Sequence, residues 1–152
     1  MPLKLTHVQR CVISMIVYIV CFVLEIIAFV LLHDAVDSDC VAAREISSII
    51  WWSMIFIFIP IIPDILFCLM GILISEPYYA ALGGCYNIVM GLLCILACLF
   101  GFLANTGCGN PIQTTIEAVA IIELIAGIIH LVFVWFVHEN LDEGEVLFRK
   151  TC

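Results

Sequence analysis

Four stretches of this chain are each long and apolar enough to cross a bilayer, and little sequence is left between them. They run from about Val12 to Leu32, Ile46 to Ile74, Ala80 to Ala104 and Gln113 to His138. A helix needs ~20 apolar residues to cross the hydrocarbon core, and each run meets that length. Open strands would leave backbone groups unpaired in lipid, so helices are expected. The separators are short and chemically distinct: the acidic "HDAVDSDCVAARE", the turn "SEPYY" around Pro77, and the Gly/Asn/Pro loop "NTGCGNP". The expected fold is therefore all-α, a single four-pass membrane bundle, followed by a short acidic tail over residues 139–152.

Composition supports lipid as the solvent. Of the 152 residues, 65% are hydrophobic and 12% charged, against about 45–50% and about 25% in soluble domains. A water-soluble domain of this size has too little interior to hide so much apolar surface. The formal charge of −8, with five Lys and Arg in all, leaves no basic surface for nucleic acid. The first run follows Lys4 and Arg10 as a signal peptide would, but it exceeds the usual h-region of about 7–15 residues and no A-x-A site follows. It is expected to stay as a span.

Lys4, Arg10, Arg149 and Lys150 lie toward the two ends, and Arg44 is alone in the first loop. The positive-inside rule then places both termini in the cytoplasm, as an even number of spans requires. Trp51 and Trp52 are expected at the outer interface and Trp135 at the inner one. Multi-pass insertion in the plasma membrane or an endomembrane follows, with the bilayer as the first partner.

The polar residues within these runs are the candidate functional groups. At ~1.5 Å rise per residue, Glu25 and Glu123 stand roughly 20 and 22 Å above the inner ends of their helices. Asp64, His130 and Asn87 come out lower, near roughly 15, 12 and 10 Å. Two polar layers are expected: Glu25 with Glu123, and Asp64 with His130 and Asn87. Pro60, Pro63 and Asp64 share one side of the second helix. Each proline frees a carbonyl one turn earlier and is expected to bend the helix. A carbonyl-rich side of this kind belongs against other helices rather than lipid. Intramembrane acids mark ion or proton paths in many proteins; as protonated acids they also hydrogen-bond between helices. The polar residues here trace no continuous line, which favours the second role.

In the third helix Gly84, Asn87, Gly91, Cys94, Cys98 and Gly101 alternate in steps of three and four. Such a stripe of small or amide side chains is a close-packing seam, expected to face the internal bundle. Of nine cysteines, Cys40 and Cys108 fall in the two outer loops and are a candidate disulfide in an oxidising compartment. Cys21, Cys68, Cys85, Cys94 and Cys98 fall within spans as small apolar residues. Cys11 and Cys152 lie on the cytoplasmic side and are weak palmitoylation candidates. The acidic outer loop lacks the glycine and bidentate glutamate of a calcium loop, and "YAAL" abuts the membrane too closely for an adaptor to read. Neither a metal nor a cofactor is expected.

The whole chain resembles small tetraspan membrane proteins: four runs, short loops and cytoplasmic ends, a layout most similar to MARVEL-type proteins. It departs from tetraspanins in lacking a large second outer loop with a Cys-Cys-Gly motif, and from claudin-like proteins in its short first loop. Glu123 looks like the acid in helix 4 of rotary-ATPase proteolipid subunits, but their helices are Gly/Ala-rich and these are Ile/Leu/Phe-rich. The expected role is non-catalytic: organising membrane, or serving as an accessory subunit of a larger membrane complex through lateral helix packing or self-association. The alternative is an ion or proton channel or transporter subunit using Glu25, Asp64, Glu123 and His130.

Overall fold

The computed structural model describes residues 7–42, 48–73 and 77–140. Lys4, Arg44, Arg149, Lys150 and Cys152, the tail from residue 141 and the first two residues of the "SEPYY" turn lie outside the described residues, as do the side chains of Arg10, Cys11 and "YAAL". The described residues hold no strand and fall into helices joined by short connections: α1 (His7–Val36), α2 (Asp39–Ala42), α3 (Ser48–Leu73), α4 (Pro77–Leu103) and α5 (Asn110–Asn140). The four long helices contain apolar segments Val12–Val36, Ile49–Leu69, Gly83–Leu103 and Asn110–Val137, each long enough to cross a membrane.

The helix ends at the α1–α2 and α4–α5 connections are satisfied by polar groups that hydropathy does not register. At the end of α1, the Ser38 hydroxyl donates to the Ala35 carbonyl at 2.7 Å and the Asp37 amide to that of His33 at 2.9 Å. Past α4 the chain reverses through Gly107 and Gly109, whose φ values of 60° and 94° favour glycine. Pro111 then occupies the first turn of α5, where its missing N–H costs nothing. The Gln113 amide clamps this loop, donating to the Ala104 carbonyl at 3.1 Å while its oxygen faces the Thr106 amide at 3.5 Å. Cys40 of α2 and Cys108 of the loop form a disulfide, with Cα atoms 5.8 Å apart. The expected pairing is present, and it joins the α1–α3 connection to the α4–α5 connection.

The long helices form a closed ring of neighbours, α1–α3–α4–α5 and back to α1. Side-chain pairs show antiparallel neighbours throughout. Phe29 meets Phe58 and Tyr18 meets Phe67 between α1 and α3, and between α3 and α4 the Ser53 hydroxyl donates to the Ala97 carbonyl while Tyr86 reaches Asp64. Helix α3 continues across Pro60 and Pro63 without interruption. Pro60 is fully buried and its carbonyl lies 3.5 Å from the Tyr86 hydroxyl of α4.

Helices α4 and α5 approach most closely. A Cβ on Gly127 would sit 3.0 Å from the Gly91 carbonyl oxygen, and one on Gly101 would meet the Ala120 Cβ at 2.9 Å. Of the seam residues, Asn87, Gly91, Cys94, Cys98 and Gly101 are buried. Gly84 is different: a Cβ there meets nothing within 4 Å, because the seam drifts off the α5 face at that end. Gly127→Ala is expected to lower the thermal unfolding temperature in detergent micelles, by overpacking worth about 1–3 kcal/mol. Gly84→Ala is expected to leave it unchanged or raise it, and circular dichroism melts of the two variants make the comparison.

Candidate functional site

The surface of the bundle is apolar and its centre is polar. Ile16, Ile62, Leu92, Leu99, Ile128 and Val132 stand about half exposed, whereas Glu25, Asp64, Asn87, Glu123 and His130 are each 0% exposed. Two apolar layers enclose the polar centre. On the disulfide side lie Ala28, Leu32, Ile57, Ala97, Ile116 and Val119; on the other lie Tyr18, Cys68 and Phe133, flanked by Phe67 and Phe136.

Asn87 fixes the geometry of this centre. Its Nδ2 donates to the Gly83 carbonyl, one turn back on α4, at 2.7 Å and to the Tyr18 hydroxyl, also at 2.7 Å. A backbone carbonyl can only accept, so Oδ1 must be the atom that faces His130 Nδ1 at 2.8 Å. The network therefore assigns the ring proton to Nδ1, and in the neutral imidazole Nε2 carries a lone pair. That nitrogen lies 3.4 Å from Glu25 Oε1 and 3.6 Å from Asp64 Oδ2. The other oxygen of Asp64 accepts from the Tyr86 hydroxyl. The Cys94 thiol points to Glu25 Oε1 at 3.9 Å and also lies beside Glu123.

All four helices contribute, and His130 of α5 is the hub. Glu25 and Asp64, expected in separate layers, both reach its Nε2. Depth along the axis placed the backbones, but a glutamate side chain spans most of the ~5.4 Å pitch of a turn, so groups from adjacent levels meet. Glu123 sits near Glu25 and Cys94, and apart from the weak Cys94 thiol neither of its oxygens meets a hydrogen-bond donor. Glu25 Oε2 and Asp64 Oδ2 also lack one.

Three members escaped the sequence reading as site residues: Tyr18, Tyr86 and Cys21, while Cys94 was assigned to packing alone. Heptad spacing carries a signal for two of these four. Tyr18 and Glu25, Asn87 and Cys94, and Glu123 and His130 are each seven apart, which puts both members of each pair on one helix face. Tyr86 follows no such spacing and is visible only by its contact. Two groups bring ligand-type atoms within 4.8 Å of one another: Glu25, Cys94 and His130, and Cys21, Asp64 and His130. The Asp64–His130 contact is longer than a hydrogen bond and is enclosed by apolar layers, so it offers no accessible nucleophile–base pair.

No protein-family model, curated protein or solved structure matches this chain. The reading of its function rests on the residues themselves.

Asn87→Ala leaves the His130 Nδ1–H and the Tyr18 hydroxyl without their amide partner, and should destabilise the bundle by about 1–3 kcal/mol. Glu123→Gln should be tolerated, since the carboxyl stands to lose no hydrogen bond beyond the weak one from the Cys94 thiol. Unfolding of both variants in mild detergent, followed by tryptophan fluorescence, tests the contrast.

Proposed function

We propose that the chain is a non-catalytic, multi-pass membrane protein that organises membrane or serves as an accessory subunit of a larger membrane complex. Its lateral helix faces carry the recognition. The observation behind this reading is that apolar layers lie on both sides of the polar centre. Short connections leave little else for a partner to grip. The stretches joining α1 to α2 and α4 to α5 are residues 37–38 and 104–109. The outer surface presents large apolar side chains along every long helix, with Trp51 and Trp52 exposed near the disulfide end and Trp135 near the other.

Orientation follows the same reading. A disulfide between the two connections belongs on a luminal or extracellular face, which puts the lysines and arginines near both termini in the cytoplasm. The loose resemblance to MARVEL-type layout fits this arrangement.

The rival reading, proton or ion transport, draws on the carboxyl oxygens left without hydrogen bonds at the centre. Liposomes containing the purified protein discriminate the two. The proposal expects proton and cation flux no higher than in empty vesicles, and co-purification of a stoichiometric membrane partner, or of a second copy, in mild detergent. Flux abolished by Glu25→Gln would replace it with the transport reading. A reporter fused to either end should be accessible from the cytoplasm alone.

A further inference from the structure

The neutral His130 ring aims its Nε2 lone pair at two carboxyl oxygens, an arrangement that requires a proton or a metal ion between them. A shared proton is the first candidate. Charge-assisted hydrogen bonds of that kind contract to about 2.7–2.9 Å, whereas the contacts here are 3.4 Å to Glu25 and 3.6 Å to Asp64. Ligands held ~2.0–2.3 Å from a tetrahedral metal ion stand roughly 3.3–3.8 Å from one another. The 3.4 Å between His130 Nε2 and Glu25 Oε1 falls within the second spacing, and the 3.9 Å between Glu25 Oε1 and Cys94 Sγ lies just beyond it.

The geometry points to a buried transition-metal site on His130 Nε2, Glu25 Oε1 and Cys94 Sγ, taking a zinc-class divalent ion. These three atoms belong to one group whose members all lie within 4.8 Å. The mixture of imidazole, carboxylate and thiolate selects zinc or a similar borderline ion over calcium or magnesium, which prefer oxygen alone. The donor set also settles the charge. One thiolate and one carboxylate cancel the divalent charge while the imidazole stays neutral, and a centre with no net charge is the least costly to bury. Binding releases the Cys94 proton, together with the proton that the buried Glu25 carboxyl carries in the empty bundle, to solvent as the ion enters during folding.

Two further observations support an ion here, independently of the cluster itself. His130 Nδ1 donates to the Asn87 amide oxygen at 2.8 Å, the outer contact that orients a metal-binding histidine and raises its basicity. Glu25 Oε2 is fully buried without a hydrogen-bond partner, and a divalent ion held at Oε1 of the same carboxyl group offsets the charge that burial otherwise penalises. Asp64, held by Tyr86 through one oxygen, keeps its other oxygen toward the same nitrogen. The apolar layers on either side make this a trapping site, loaded as the bundle folds and slow to exchange with chelators. The site stands whether or not the chain works as an accessory subunit.

Expression in cobalt-supplemented medium, followed by purification without a histidine tag, tests the assignment, with circular dichroism confirming that each variant keeps its helicity. The expected result is one cobalt ion per chain, a thiolate-to-cobalt charge-transfer band in the near ultraviolet, and one sulfur scatterer by X-ray absorption. Cys94→Ser should abolish the band, and Glu25→Gln should lower retained metal at least tenfold. Cys21→Ser should change neither. Helical wild-type protein without bound cobalt would overturn the proposal. So would a band that survives Cys94→Ser or disappears in Cys21→Ser, or full metal retention in Glu25→Gln.

Discussion

Everything in this architecture follows from having no water to offer a polar group at mid-depth. In a soluble protein Glu25, Asp64 and Glu123 would sit on the surface, where hydration costs nothing. Here the outward positions carry isoleucine, leucine and valine, and the acids, the amide and the imidazole face one another at 0% exposure. Such inversion is the arrangement lipid demands, since an unpaired polar group in hydrocarbon costs several kcal/mol. The helices then associate through packing and polar contact, because burial against lipid gives no hydrophobic drive between them.

Asn87 and the glycine contacts between α4 and α5 carry complementary parts of that association. Gly91, Gly101 and Gly127 bring the two backbones close enough for a carbonyl to lie 3.0 Å from where a Cβ would stand. This close approach puts Asn87 within reach of His130. The amide then fixes which ring nitrogen carries the proton, and through that choice it sets the chemistry available at the other nitrogen. A packing feature on one helix thus decides the protonation pattern at a residue of another.

The disulfide closes the bundle at one end. Cys40 and Cys108 are 68 residues apart in sequence and tie the two interhelical connections on that face. With the loop after α4 also clamped by Gln113, that end is covalently and locally fixed, while the apolar layers keep the polar centre dry. Rigidity and dryness suit a packing protein or a trapped ion better than a conduction path, which would need a hydrated route.

The sequence by itself determined the number and extent of the long helices, because hydrocarbon thickness sets a length that only four runs satisfy. It also identified Glu25, Asp64, Asn87, Glu123 and His130 as unusual, since an ionisable or amide group in such a run stands out against its neighbours. Cys40 and Cys108 were legible for a related reason, as the two cysteines outside both the spans and the two ends of the chain. Helix ends were less so: Ser38 and Gln113 extend or fix them through hydrogen bonds that hydropathy does not weigh. Tertiary structure alone decided that the two expected polar layers are one cluster around His130, that Tyr18, Tyr86 and Cys94 belong to it, and that Gly84 does not share the close packing of its stripe. The reason is physical. Depth along a helix is additive in sequence, but side-chain reach, helix rotation and the choice of neighbour depend on how four helices pack at once.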